Sequence, residues 1–256
     1  MNLRGCGHSY SAAKKGDRSI YVASKPGILS GMPRARRITP GGIVYHVLNR
    51  GVGRSRLFFK DADYRAFEQI MAETLDACPM RVSSYILMPN HWHLLLWPKE
   101  DGELAAFMQR LTITHVTRWQ RHRARVGDGH LYQGRYKSFP VESDEYFYQA
   151  ARYIERNAVR ANLVEQAEQW QWSSLWRYYH GTVDEKSLLA PWPVDRPRQW
   201  RRHVQQPLTE AELIAMRRCV VRGSPLGGSN WTERIANRLG LEFTLRKRGR
   251  PKKVVQ

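Results

Sequence analysis

Met88-Pro89-Asn90-His91-Trp92-His93-Leu94-Leu95-Leu96-Trp97 is the stretch whose reading decides the fold. Pro and Asn are favoured at the centre of a tight turn, so Tyr85 to Met88 and His91 to Trp97 read as the two antiparallel strands of a hairpin. Side chains alternate between faces along a strand, which sets His91 and His93 on one face, roughly 7 Å apart. That spacing lets two imidazoles converge on one cation. Trp92, Leu94 and Leu96 fall on the opposite face and suit burial against a core.

Working outward, Gly42 to Leu48 is rich in β-formers and reads as the first strand, with Asn49-Arg50-Gly51 turning the chain after it. From Asp61 to Leu75, Tyr64, Phe67, Ile70, Met71 and Leu75 recur at helical spacing behind an acidic first turn. After the hairpin, Leu104, Phe107, Met108, Leu111, Val116 and Trp119 form a second amphipathic stripe. Arg110, Arg118, Arg121 and Arg123 lie off that stripe and make a candidate DNA-facing side. Leu131 to Val141 reads as a further strand in which Arg135 and Lys137 alternate with aromatic residues, a mixture suited to single-stranded nucleic acid. The order strand, helix, strand, strand, helix, strand predicts an α+β fold of the ferredoxin-like, split βαβ kind. Its four-stranded antiparallel sheet is expected to carry helices on one face and leave the other free for a ligand.

Ser143-Asp144-Glu145 supplies a cap and an acidic first turn for the next helix, read from Tyr146 to Asn157. Tyr153 and Asn157 are four residues apart and so share a helix face. A tyrosine hydroxyl, with an ordinary pKa near 10, needs activation before it can act as a nucleophile. A divalent cation held by His91, His93 and Asn157 would polarise a phosphodiester and orient the strand. Attack by Tyr153 would then leave a 5′-phosphotyrosyl enzyme and a free 3′-OH. Tyr146, seven residues earlier on nearly the same face, is the alternative nucleophile, and the donor set suits zinc as well as magnesium or manganese.

The 42 Lys and Arg against 23 Asp and Glu give a formal charge of +19. An excess of that size favours nucleic acid, because phosphate neutralisation releases counterions. No run of 18 apolar residues exists, which argues against a membrane. Cys6, Cys78 and Cys219 lack C-x-x-C spacing, fit a reducing cytosol and form neither a disulfide framework nor a zinc knuckle. Neither a P-loop nor a dinucleotide-binding glycine motif is present, so ATP and NAD chemistry have no support.

Residues 1–31 mix Gly, Ser, Lys and Arg without period and are expected to be a disordered extension, with Met32 as a second candidate start. The catalytic domain is expected over residues 32–180, a Trp- and Pro-rich linker wrapping back on it over 181–206, and a small helical module over 207–241. In that module Thr209 with Glu212, and Asn230 with Glu233, read as capping boxes. Residues 242–256 form a basic tail in which Arg248-Gly249-Arg250-Pro251 suits the minor groove of A·T-rich duplex DNA.

The hairpin with His91-Trp92-His93, the run Gly134 to Ser138, the run Tyr153 to Ala161 and Trp172-Ser173-Ser174 together resemble the REP-associated tyrosine transposases. These are relatives of the single-tyrosine transposases among the HUH endonucleases. The resemblance implies Tyr153 as nucleophile, His91, His93 and Asn157 as ligands of Mg²⁺ or Mn²⁺, and cleavage and rejoining of single-stranded DNA at repetitive extragenic palindromic hairpins. It implies a bacterial cytoplasmic protein on the nucleoid, monomeric or dimeric. Ala158 departs from the family, where Pro often follows the Asn. The competing readings are a non-catalytic DNA-binding regulator on the same fold and, third, an RNA-binding protein.

Overall fold

The computed structural model describes residues 38–246. The N-terminal extension and Arg248-Gly249-Arg250-Pro251 lie outside the described residues. Four strands, β1 (Val44–Arg50), β2 (Arg81–Met88), β3 (His91–Trp97) and β4 (Lys137–Val141), pair in the order β2-β3-β1-β4 with every neighbour antiparallel. Two long helices, α1 (Asp61–Ala77) and α2 (Glu103–His122), connect them in the split βαβ arrangement. Met88 pairs with His91 across the Pro89-Asn90 turn, so the hairpin has the expected register.

Period-two alternation divides the sheet into two dry faces. Tyr45, Val47, Tyr85, Leu87, Trp92, Leu94 and Leu96 pack against α1 and α2 through Phe67, Ile70, Phe107 and Leu111. Leu48, Ile86, Met88, Leu95 and Phe139 point the other way. Leaving those side chains in water would forfeit roughly 1.5–3 kcal/mol each, and the chain does not do so. A second helical layer built from α3 (Glu145–Glu155) and the segments after it covers them, so the face expected to stand free for a ligand is a second core.

That layer continues with α4 (Asn157–Arg160), α5 (Ser174–His180), α6 (Val183–Lys186), α7 (Trp200–Gln205), α8 (Glu210–Arg222), α9 (Ser229–Leu239) and α10 (Glu242–Leu245). Trp200, Val204, Leu208, Met216, Cys219 and Leu226 enter the second core. The anchor is Glu155, wholly buried, whose carboxylate accepts from Trp200 Nε1 at 2.6 Å, Ser174 Oγ at 2.6 Å and Ser84 Oγ at 3.2 Å. Trp172 O accepts from Leu87 N at 2.9 Å, and Arg177 of α5 pairs with Glu68 of α1 at 2.6 Å, which holds this segment across β2.

Several local expectations are corrected. β1 runs on through Asn49 and Arg50, because both have partners, Trp92 and His91, on β3. The strand expected over 131–141 is regular only from Lys137. Before it, Tyr132 turns into the first core, where its hydroxyl accepts from Trp92 Nε1 at 3.0 Å and lies 2.7 Å from His115 Nδ1. Phe139 is buried in the second core, so neither ring is available to stack on a base. The helix read through to Asn157 ends at Glu155, with Arg156 at φ −87° and ψ 1° between α3 and α4. Its cap is Asp144, which accepts from Tyr146 N at 2.8 Å. Thr209 and Glu212 form the expected capping box, whereas α9 starts at Ser229 behind Gly228 and not at Asn230.

Candidate active site

His91 and His93 lie on the second face of β3, their ring centroids 5.1 Å apart and their planes nearly perpendicular. Each presents one nitrogen to a neighbour. His91 Nδ1 is 2.7 Å from Asn90 Oδ1, which fixes that ring as a donor at Nδ1. His93 Nδ1 is 2.8 Å from His46 Nε2. The turn residue Asn90 therefore also orients a histidine, its own amide donating to Arg54 O at 3.2 Å.

Tyr153, on α3, comes down beside these strands with its ring centroid 5.9 Å from that of His93 and 6.1 Å from that of His46. Asn157 follows the break at Arg156 and is 3% exposed. Arg160 joins the two: its guanidinium lies over the Tyr153 ring, 4.2 Å from the centroid, and donates to Asn157 Oδ1 at 3.2 Å. The structure thus brings together Tyr153, His91, His93 and Asn157, and adds His46, Arg50 and Arg160.

Burial sets the protonation of this cluster. Loss of water pushes His46 down to about 3 and His91 down to about 4, with Arg50 and Arg160 adding to the effect at His91. His93 is held well below the usual imidazole range by burial and by His46 and His91 beside it. The rings are neutral near pH 7, the form that offers a lone pair to a cation. Among the described residues no group of three His, Cys, Asp or Glu forms a metal cluster. The candidate ligand atoms are the Nε2 atoms of His91 and His93, on the ring side away from the contacts at Nδ1, and Asn157 Oδ1, which also accepts from Arg160. That set fits a divalent cation whose remaining ligands are oxygens from water or phosphate.

Access is restricted. Tyr153 is 6% exposed and borders a cavity of about 80 Å³ with Arg156, Arg160, Pro207, Leu208 and Leu213. Pro207 and Leu208 of that lining come from the connection between α7 and α8. Tyr146, the alternative nucleophile, is partly buried against the second core.

The basic residues distribute differently. Arg110 and Arg121 are exposed on α2, in the layer on the far side of the sheet from Tyr153, and Arg118 is engaged by Glu73 at 2.6 Å. Arg123 pairs with Asp63 at 2.6 Å and lies over the ring of Phe59. Arg135 and Lys137 are exposed at the leading end of β4, Lys137 Nζ donating to Val220 O at 3.4 Å. His46 and Arg50 were missed because β1 had no register until its pairing with β3 was known. Arg160 carried a local signal, three residues after Asn157 and seven after Tyr153.

The chain carries a DNA transposase domain. Residues 41–157 match the model of the IS200-like transposase family, and this stretch, which holds all four strands, both histidines, Tyr153 and Asn157, belongs to that family. Among solved structures, a REP-associated tyrosine transposase bound to a REP hairpin is similar at 19% identity, covering 64% of this chain and 92% of that one with a TM-score of 0.44. A candidate transposase of Deinococcus radiodurans R1 is similar at 17% identity, covering 48% of this chain and 94% of that one with a TM-score of 0.35. No curated protein matches the chain. No helix among the described residues is long and apolar enough to cross a membrane.

Proposed function

We propose that this transposase cuts and rejoins single-stranded DNA with Tyr153 as its nucleophile. The observation that carries the reading is the placement of the Tyr153 ring between His93 and the Arg160 guanidinium, which also holds the Asn157 amide. The tyrosine oxygen attacks phosphorus as the bond to the 3′ oxygen breaks. The tyrosine proton is lost and the 3′ oxygen gains one, so the proton count closes. Arg160 is placed to offset phosphate charge beside the phenol. A bound divalent cation, Mg²⁺ or Mn²⁺, held by His91, His93 and Asn157, would supply Lewis-acid polarisation of the phosphate. The phosphotyrosyl bond conserves the energy of the broken one, so rejoining needs no nucleotide cofactor.

The sequence resemblance carries the substrate, single-stranded DNA at REP hairpins, and the cytoplasmic, nucleoid-associated setting. Duplex contact is assigned to the basic tail. The test is covalent capture of a labelled single-stranded oligonucleotide. Tyr153→Phe removes one oxygen, so the adduct should vanish while binding persists, and chelation should abolish the adduct in the parent protein. An adduct that survives Tyr153→Phe would move the nucleophile to Tyr146 or elsewhere. Binding without any adduct in the parent, with Mg²⁺ or Mn²⁺ supplied, would favour the non-catalytic regulator.

A further inference from the structure

His46 is fully buried on β1, its ring 4.8 Å from that of Phe139, and none of the chemistry above uses it. Leu48 pairs with His93 and His46 with Leu95, so the His46 and His93 side chains meet diagonally on one face of the sheet. Their facing nitrogens, Nε2 and Nδ1, are 2.8 Å apart. Two neutral imidazoles at that distance share one proton, and its owner decides what His93 can offer.

In one arrangement His46 Nε2 donates. His93 then carries its own proton on Nε2, and that nitrogen has no lone pair for a cation. In the other, His93 Nδ1 donates and its Nε2 lone pair is free, while His46 must carry its proton on Nδ1. His46 Nδ1 is buried and has no hydrogen-bond partner. An unpaired buried donor is costly, so the pair without a cation settles with the proton on His46 Nε2.

We infer that His46 is the positioning residue for His93, accepting the His93 Nδ1 proton when a cation occupies His93 Nε2 and blocking that nitrogen otherwise. This rests on the metal reading of the proposed function. The exchange conserves protons. The His93 Nε2 proton leaves, the shared proton crosses to His93 Nδ1, and one is taken up at His46 Nδ1. The arrangement differs from that at His91, where Asn90 Oδ1 can only accept. One ligand is thus held permanently ready and the other is conditional. A hydrogen-bond partner of this kind fixes the tautomer and orientation of a histidine ligand.

The experiment uses the full chain. Nitrogen NMR of the imidazoles should find His93 protonated at Nε2 without metal and at Nδ1 in saturating Mg²⁺, with His46 moving to its Nδ1 form at the same titration point. Calorimetric titration with Mn²⁺ alone should find His46→Gln, whose carbonyl accepts the His93 Nδ1 proton with no imidazole N–H forced into the unpartnered position, tighter than the parent by about 10-fold. A His93 tautomer that ignores Mg²⁺ overturns the inference, and so does a His46→Gln protein that binds Mn²⁺ no more tightly than the parent while His91→Ala loses it. If the parent itself takes up no Mn²⁺, the metal reading fails and carries this inference down with it. Should His46→Gln not fold, the NMR titration of the parent decides the matter.

Discussion

Acidification should destabilise this protein in a way that one substitution can isolate. His115 sits in the first core at 3% exposure, between the rings of Phe58 and Phe67, with Tyr132 Oη at 2.7 Å. Burial pushes its pKa down from 6.5 to about 3, against a smaller opposing pull from Asp63. Between those two values the unfolded chain binds a proton there and the folded chain does not, so the stability it contributes is present above pH 6.5 and lost as pH falls. The linkage relation gives about 2 kcal/mol lost between pH 7 and pH 5, and any folded value below about 4 gives nearly the same figure. Urea unfolding of the parent and of His115→Gln at the two pH values is the assay. Gln retains a hydrogen-bonding group for Tyr132 and removes the titration, while the other buried histidines cancel in the comparison. The parent's advantage over the variant should shrink by about 2 kcal/mol on going to pH 5. An advantage that stays the same would mean that His115 takes up its proton in the folded protein as readily as in the unfolded chain.

Two further outcomes follow from particular interactions. Glu155→Ala strands Trp200 Nε1 and two serine hydroxyls inside the second core, so it should cost about 3 kcal/mol in chemical denaturation, and Glu155→Gln, which keeps an acceptor, clearly less. Deleting the chain from Arg246 onward removes six basic residues. The salt dependence of duplex binding should flatten by roughly 0.9 in log–log slope for each phosphate that the tail neutralises, while cutting of a short single strand at saturation continues. Unchanged duplex binding would make the tail a solvated charge run.

Much of the fold was legible because it rests on local chemistry. Pro89-Asn90 makes the turn, the turn fixes the register of β2 on β3, and period-two alternation then assigns His91 and His93 to the face opposite Trp92. Tyr153 and Asn157 were legible as a pair by helical spacing, although the chain breaks at Arg156 between them. What stayed hidden depends on partners distant in sequence. His46 reaches His93 only through the β1 to β3 register, and the second face of the sheet is covered by residues such as Trp200 and Met216 that carry no local sign of where they dock. Tyr132 misled because an aromatic residue among basic ones looks the same whether it faces DNA or turns inward to Trp92 and His115.

The carboxylate of Glu155 has a consequence for how such a protein can be cut and recombined. The stretch recognisable as a transposase stops at residue 157, but the side chains that keep its sheet dry come from as far along as Leu226. An excised piece ending at the similarity boundary would carry an exposed greasy surface and a buried acid stripped of its indole donor, and it should aggregate on expression. The unit of inheritance visible in sequence comparison is therefore smaller than the unit of folding, and a viable chimera would have to exchange the sheet and its C-terminal cover as one block.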